Sequence, residues 1–328
     1  MKILVIGAGA VGGYFGGRLA QAGRDVTFLV HRKRAEAIKA NGLQIVSPHG
    51  DVKLHPETIV AKQISQPYDL ILLGVKNFAL SAAIDDFAAA VGPDTMILPF
   101  LNGMSHIDLL IERFGGRAVL GGVCLVATEI DQEGRVLQLA GFQKLIYGEL
   151  DGSITPRLEK VDATLQGADF DAATSTHIMQ DMWEKWVMIA GVGATTCLLR
   201  GNIGEIVAVP GGADLPRAIL RECSEIAGAC GHPPSEKFLA QQAADLTAPG
   251  SPLTSSMYRD LKKGAPVEVD SILGDLLERG KKSGLTTPTP LLQAAFVSLS
   301  IYQRTLMEAG RPARPDGRDA RPPSNSKS

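Results

Sequence analysis

No uninterrupted apolar run in this chain reaches the roughly 18 residues that a bilayer-spanning helix requires, so the sequence predicts no membrane span. Neither charge is in excess: 33 Lys and Arg against 35 Asp and Glu leave a formal net charge of -2. Without a basic field, the chain lacks the footprint of a protein that binds nucleic acid or anionic lipid. Cysteine is scarce as well. Cys124, Cys197, Cys223 and Cys230 form no C-x-x-C pair and stand at no zinc-site spacing with His. The expectation is a reduced, cytoplasmic protein without a structural metal. The opening MKILVIGAGAVGGYFGG has the lysine and apolar run of a secretory leader, but five glycines within residues 7 to 16 break the helix such a leader needs. The expectation is an unprocessed, soluble chain.

What is present is length and order. At 328 residues the chain exceeds the size at which a single core stops growing, and about 150 residues per domain suggests two. An apolar fraction of 45% and a charged fraction of 21% suit a globular protein. Residues 2–6 form a β-branched run of the fully buried type. Gly7-Ala8-Gly9-Ala10-Val11-Gly12 follows at once, then a helical stretch to Ala22 and a second strand over 25–30. A helix over 32–40, a hairpin insert around Ser47 to Gly50, strands at 69–75 and 95–100, and helices at 78–90 and 105–114 continue the alternation. Strand and helix taking turns imply a Rossmann-like, doubly wound parallel α/β sheet.

Strands at 119–127, 136–139 and 144–148 are expected to finish that sheet in antiparallel fashion. From about residue 175 the pattern is helical throughout: 180–200, 214–230, 235–246, 253–263, 267–283 and 288–308. The expected organisation is a dinucleotide-binding domain over 1–174 and an all-helical C-terminal domain over 175–309. A disordered tail over 310–328 follows, too rich in Pro, Arg and Ser to bury a core.

Gly7, Gly9 and Gly12 match G-x-G-x-x-G between a strand and a helix, where the first makes the turn, the second admits a pyrophosphate and the third lets the helix close on its strand. An NAD site usually carries Asp or Glu at the end of the second strand. Here that strand runs into His31-Arg32-Lys33-Arg34. Cations at a helix N-terminus are unfavourable without an anion, and the 2′-phosphate of NADPH is such an anion. NADPH is therefore the expected cofactor, held by the three glycines with His31 and Arg32.

The run DMWEKWVMIAGVGATTCLL, residues 181 to 199, is apolar on every helical face past its first turn, yet it carries Lys185. In a helix Met182, Lys185, Ile189 and Val192 share one stripe. A lysine there either snorkels to water or faces a polar cleft. Glu268 is a matching anomaly, in a row with Ile272 and Leu276 that turns its carboxylate to the apolar side of its helix. Two inward charges of opposite sign favour the cleft.

Lys76 after DLILLGV, Asn102-Gly103-Met104 after TMILPF, Lys185, and SSMYRDLKKGAPVEVD from 255 to 270 together resemble the ketopantoate reductases (2-dehydropantoate 2-reductases). The resemblance runs to about residue 308. It implies that Lys76 and Asn102 line the cleft beside nicotinamide and substrate, and that Ser256 holds the substrate. It implies that Glu268 borders the cofactor and binds the substrate or supports the lysine, and that Lys185 is the general acid in an NADPH-dependent reduction belonging to pantothenate synthesis. Ketone reduction generates an alkoxide, and a lysine drawn into an apolar wall has its pKa lowered toward working pH.

Departures from the family pattern put the substrate in question. The asparagines four and eight residues after the lysine are Ile189 and Gly193 here, expected to line the substrate wall of the cleft that carries Lys185. The Gln of S-S-M-x-Q-D is Arg259, and the Arg after the second strand is His31, with Arg32 next to it. The alternatives are a reductase of another small 2-oxo acid and a non-catalytic NADP(H) sensor. A homodimer is open.

Overall fold

The computed structural model describes residues 1–309. The tail expected over 310–328 lies outside the described residues. In chain order, β1 (Lys2–Ile6), α1 (Ala10–Gln21), β2 (Asp25–Leu29) and α2 (Arg32–Asn41) open the fold. A hairpin of β3 (Leu43–Val46) and β4 (Val52–Leu54), then β5 (Glu57–Ile59), follows. The sequence continues with β6 (Leu70–Leu73), α3 (Leu80–Phe87), β7 (Met96–Pro99) and α4 (Ser105–Phe114). Strands β5-β2-β1-β6-β7 form one sheet, parallel in every pairing. Both its faces are covered, which is why its central strands are buried almost without interruption. Ile3 and Val5 of β1 face one core with Phe15 and Phe28, while Leu4 and Ile6 face another with Ile71 and Leu73.

The strands beyond residue 119 do not finish that sheet. β8 (Leu120–Ile130) and β9 (Val136–Glu149) pair antiparallel. After α5 (Pro156–Leu165), β10 (Asp171–Thr174) adds in parallel to one end of β9 and β3 to its other end, both along the edge that β8 leaves free. The result is a second sheet, joined to the first by a single bridge between Ile97 and Val119. α1 lies between the sheets: Phe15 meets Phe100 at 5.4 Å and Phe170 at 4.9 Å. β9 runs as one strand where two short ones were expected: its two ends pair with β8, Val136 opposite Ile130 and Glu149 opposite Leu120, and the register shift between Val126 and Thr128 takes up the residues 139–142 between them.

Past β10 every element is helical: α6 (Ile178–Leu199), α7 (Ile203–Val207), α8 (Asp214–Ala229), α9 (Glu236–Asp245), α10 (Ser256–Lys262), α11 (Asp275–Lys282) and α12 (Pro290–Ala309). α6 is the hub. Trp186, Val187, Ala190 and Ala194 are buried in the core that α8, α11 and α12 share with α3 and α4 of the sheet half. An all-round apolar helix belongs in such a place. α11 is preceded by a π-helical turn, Asp270–Gly274, and the indole of Trp186 donates to the carbonyl of Ile272 inside that turn at 2.9 Å. Among the described residues no helix is long and apolar enough to cross a membrane.

Candidate active site

Strand order reverses at β1, where β2 lies to one side and β6 to the other, and open α/β sheets form their ligand crevice at such a point, outside the carboxyl ends of the strands. Gly7, Lys76 and Asn102 follow β1, β6 and β7 there. Gly7 takes φ +86° and donates its N–H to Leu29 at 2.9 Å. A Cβ on Gly12 would stand 2.3 Å from the Gly7 carbonyl oxygen, whereas one on Gly9 would meet nothing within 4 Å. The turn is therefore tight on its inner side and open at Gly9. Gly9 caps α1 without a side chain, and no acid occupies the first helical turn. The leading N–H groups of α1 thus face open space, which is the geometry an anion requires.

The helical half supplies the opposite wall. Glu268 has a side chain only 5% exposed and accepts from Lys76 Nζ at 3.2 Å and from the backbone N–H of Asn77 at 3.1 Å. Lys76 also reaches Asp260 at 3.1 Å. Burial pulls the Lys76 ammonium down, but Glu268 and Asp260 outweigh it and hold its pKa above the ordinary lysine value. Asn77 donates its side-chain N–H to Ser105 at 3.2 Å. Gly103, at φ +79°, presses so close to the π turn that a Cβ would stand 2.3 Å from the Ser271 carbonyl oxygen. The loop carrying Asn102 is thereby held against the helix that follows Glu268.

Lys185 is partly buried on α6, and Ile189 and Val192 are partly exposed beside it on the same stripe. Its ammonium forms no hydrogen bond or ion pair among the described residues. Burial lowers its pKa, against smaller upward pulls from Cys124 and Glu268. Glu268 spends both oxygens on Lys76 and Asn77 and acts on Lys185 through its charge alone, leaving the Lys185 ammonium without a bonded counter-ion. Close by, His106 is wholly buried with neither ring nitrogen bonded. Burial and then the charges of Lys185 and Arg279 push its pKa down to about 3, so the ring is neutral.

Gly193 also departs from expectation. It is buried, and a Cβ there would meet the terminal methyl of Met257 at 2.9 Å. The position is occupied space on α6, filled from α10, and not an open wall of the cleft. Ser256 is exposed at the first position of α10, while Ser255 caps that helix through Tyr258 at 2.9 Å and contacts Thr196 at 2.9 Å. His31 and Arg32 are exposed at the start of α2. Asp260 went unselected in the sequence although it is the Asp of the quoted S-S-M-Y-R-D stretch. Met257 gave no signal, because only the fold brings it to Gly193.

A parallel sheet with a glycine turn at its switch point, facing a lysine-bearing wall of helices, defines an oxidoreductase built on a Rossmann-like nucleotide fold. Residues 3–152 match the family described as ketopantoate reductase PanE/ApbA, and residues 177–299 match ketopantoate reductase PanE/ApbA C terminal. The uncharacterized oxidoreductase YkpB of Bacillus subtilis is 33% identical over 92% of this chain and 99% of its own length. The crystal structure of 2-dehydropantoate 2-reductase from Geobacter metallireducens superposes with a TM-score of 0.83 at 30% identity, covering 92% of this chain and 99% of that one. D-Mandelate dehydrogenase, solved with NADH and anilino(oxo)acetate, shares the fold at a TM-score of 0.83 and 22% identity, covering 94% and 100%. The chain belongs to the ketopantoate reductase family.

Proposed function

We propose that this protein reduces a small 2-oxo acid with hydride from NADPH, and that 2-dehydropantoate, whose reduction yields pantoate for pantothenate synthesis, is its first candidate substrate. The observation that carries this reading is Lys185: an ammonium on the cleft stripe of an otherwise apolar helix, with its pKa lowered by burial and no bonded counter-ion. NADPH, when bound, supplies the hydride. The N-terminus of α1 takes its pyrophosphate, and the basic start of α2, which has no acid in its first turn, suits a phosphorylated ribose better than bare ribose hydroxyls. Lys185 donates a proton to the oxygen that becomes an alkoxide. Glu268 fixes Lys76 and Asn77, and with them the loop between sheet and substrate; Asn102 borders the reacting centre and Ser256 takes the substrate's carboxylate.

A lysine acting as acid must be protonated, and burial shifts its titration below the ordinary lysine range. The kcat for reduction is expected to fall as pH rises through that lowered pKa, while the reverse oxidation, which needs the neutral amine, rises over the same interval. Steady-state profiles in both directions check this, and parallel profiles would remove Lys185 from proton transfer.

A second reading has its own observation. Ile189, partly exposed one turn along α6 from Lys185, makes the wall there hydrocarbon, which favours a 2-oxo acid with an apolar tail. Burying the far hydroxyl of ketopantoate unpaired costs about 1 to 3 kcal/mol. The expected preference for ketopantoate over 3,3-dimethyl-2-oxobutanoate in kcat/KM is thus less than about tenfold. A panel of 2-oxo acids with NADPH oxidation as the readout decides: a hundredfold preference restores the strict ketopantoate assignment, and no turnover with any acid favours a sensor.

A further inference from the structure

Arg34 sits in the first turn of α2 with its guanidinium against the glycine turn. Nε and Nη2 donate to the Ala8 carbonyl at 3.2 and 3.0 Å, and Nη1 donates to the Gly134 carbonyl at 3.0 Å. Gly134 belongs to the tip between β8 and β9, so one side chain ties the turn to that hairpin. Arg34 forms no salt bridge among the described residues. The two acids at the tip, Asp131 and Glu133, both pair with Arg135, at 2.6 and 3.5 Å. Burial lowers the pKa of Arg34, and no carboxylate opposes the shift. A half-buried guanidinium without a counter-charge, at the positive end of a helix, is an arrangement that an anion completes.

A guanidinium has five N–H donors, and the three bonds to Ala8 and Gly134 leave two without a partner. Two free donors on a planar fork match two oxygens of a phosphate. His31, Arg32 and Lys33 are exposed and their side chains make no hydrogen bond among the described residues, so ordering them on a ligand costs side-chain entropy. Arg34 is already held by main-chain carbonyls and loses little.

We infer that Arg34, and neither His31 nor Arg32, is the side chain that distinguishes NADPH from NADH in this protein, its two free donors receiving the 2′-phosphate. This rests on the NADPH reading above and assigns the discrimination to one residue. A residue that only props the glycine turn would support both cofactors equally, because both present the same pyrophosphate.

Fluorescence titration of NADPH and NADH against the full chain separates the cases without recourse to turnover. R34Q is expected to weaken NADPH by about 10- to 100-fold while NADH changes by less than about threefold. The H31A/R32A double variant is expected to change the ratio of the two affinities by less than about threefold. Equal weakening of both cofactors by R34Q, or loss of selectivity confined to H31A/R32A, overturns the inference. Should R34Q not fold, R34K, which keeps the charge without the fork, is held to the same criterion: selective weakening of NADPH supports the role and uniform weakening removes it. Wild-type protein that binds NADH as tightly as NADPH would instead bring down the cofactor reading itself.

Discussion

Lys185→Ala is expected to lower kcat by roughly 10² to 10⁴, the usual worth of a positioned acid, and to leave NADPH affinity within about threefold. The two effects separate because Lys185 stands on α6 in the helical half, whereas the glycine turn and the start of α2 belong to the sheet half. Stability is expected to hold. The ammonium has no bonded partner to orphan, and the side chain is partly exposed, so its removal opens space to the cleft and not a sealed cavity. Lys185→Met, which keeps the apolar stem without the charge, is expected to be as slow as Lys185→Ala. Single-turnover rates at saturating NADPH check both variants, and a loss confined to KM would reduce Lys185 to a binding group.

Gly103→Ala is the second large effect. Its backbone is at φ +79°, where a Cβ costs about 1 to 2 kcal/mol by itself. The added carbon would also stand 2.3 Å from the Ser271 carbonyl oxygen, so the loop and the π turn must separate. Displacing Asn102 by about an ångström is expected to lower kcat/KM by about 10², with a fall in Tm of several degrees. Gly115→Ala isolates the contact: its φ is +82° and its Cβ would meet nothing within 4 Å. It shares the dihedral cost alone, and its kcat/KM is expected to stay near wild type. If the two variants matched in both Tm and kcat/KM, the packing of Gly103 on Ser271 would have no functional weight.

The parallel sheet was legible because its strands announce themselves locally: LVI after a lysine, LILL and MILP are buried on both faces and bounded by glycine or polar turns. The second sheet was not, since joining β3 to β9 brings Ile45 to Val136 across most of the sheet half, and no local pattern encodes that distance. α5 did leave a mark, Thr155 capping with Pro156 at the first helical position, but it lies among strand-like stretches. In the candidate site, Lys185 and Glu268 could be chosen because a charge on an apolar helical stripe is anomalous on its own, whereas Lys76 and Asn102 were chosen through the resemblance to the ketopantoate reductases. Which charge pairs with which could not be chosen. Lys185 and Glu268 were equally well matched on paper, and only the position of Asn77 decides that Glu268 turns toward Lys76.

The π turn before α11 is a matter of chain length. A turn bonded i to i+5 holds one residue more than the α-helical turn it replaces, so Glu268 and Leu276 are out of phase by one position relative to a regular helix. Each residue of an α-helix advances about 100° around the axis. Deleting Ser271 would repair the helix and rotate Glu268 by about that angle relative to the buried Leu276, carrying its carboxylate away from Lys76. The Ile272 carbonyl, which the irregular turn frees for the indole of Trp186, would return to the helical ladder. The extra residue thus acts as a phase setting: it lets one helix pack regularly on α8 while presenting its first carboxylate to a cleft that regular geometry would miss.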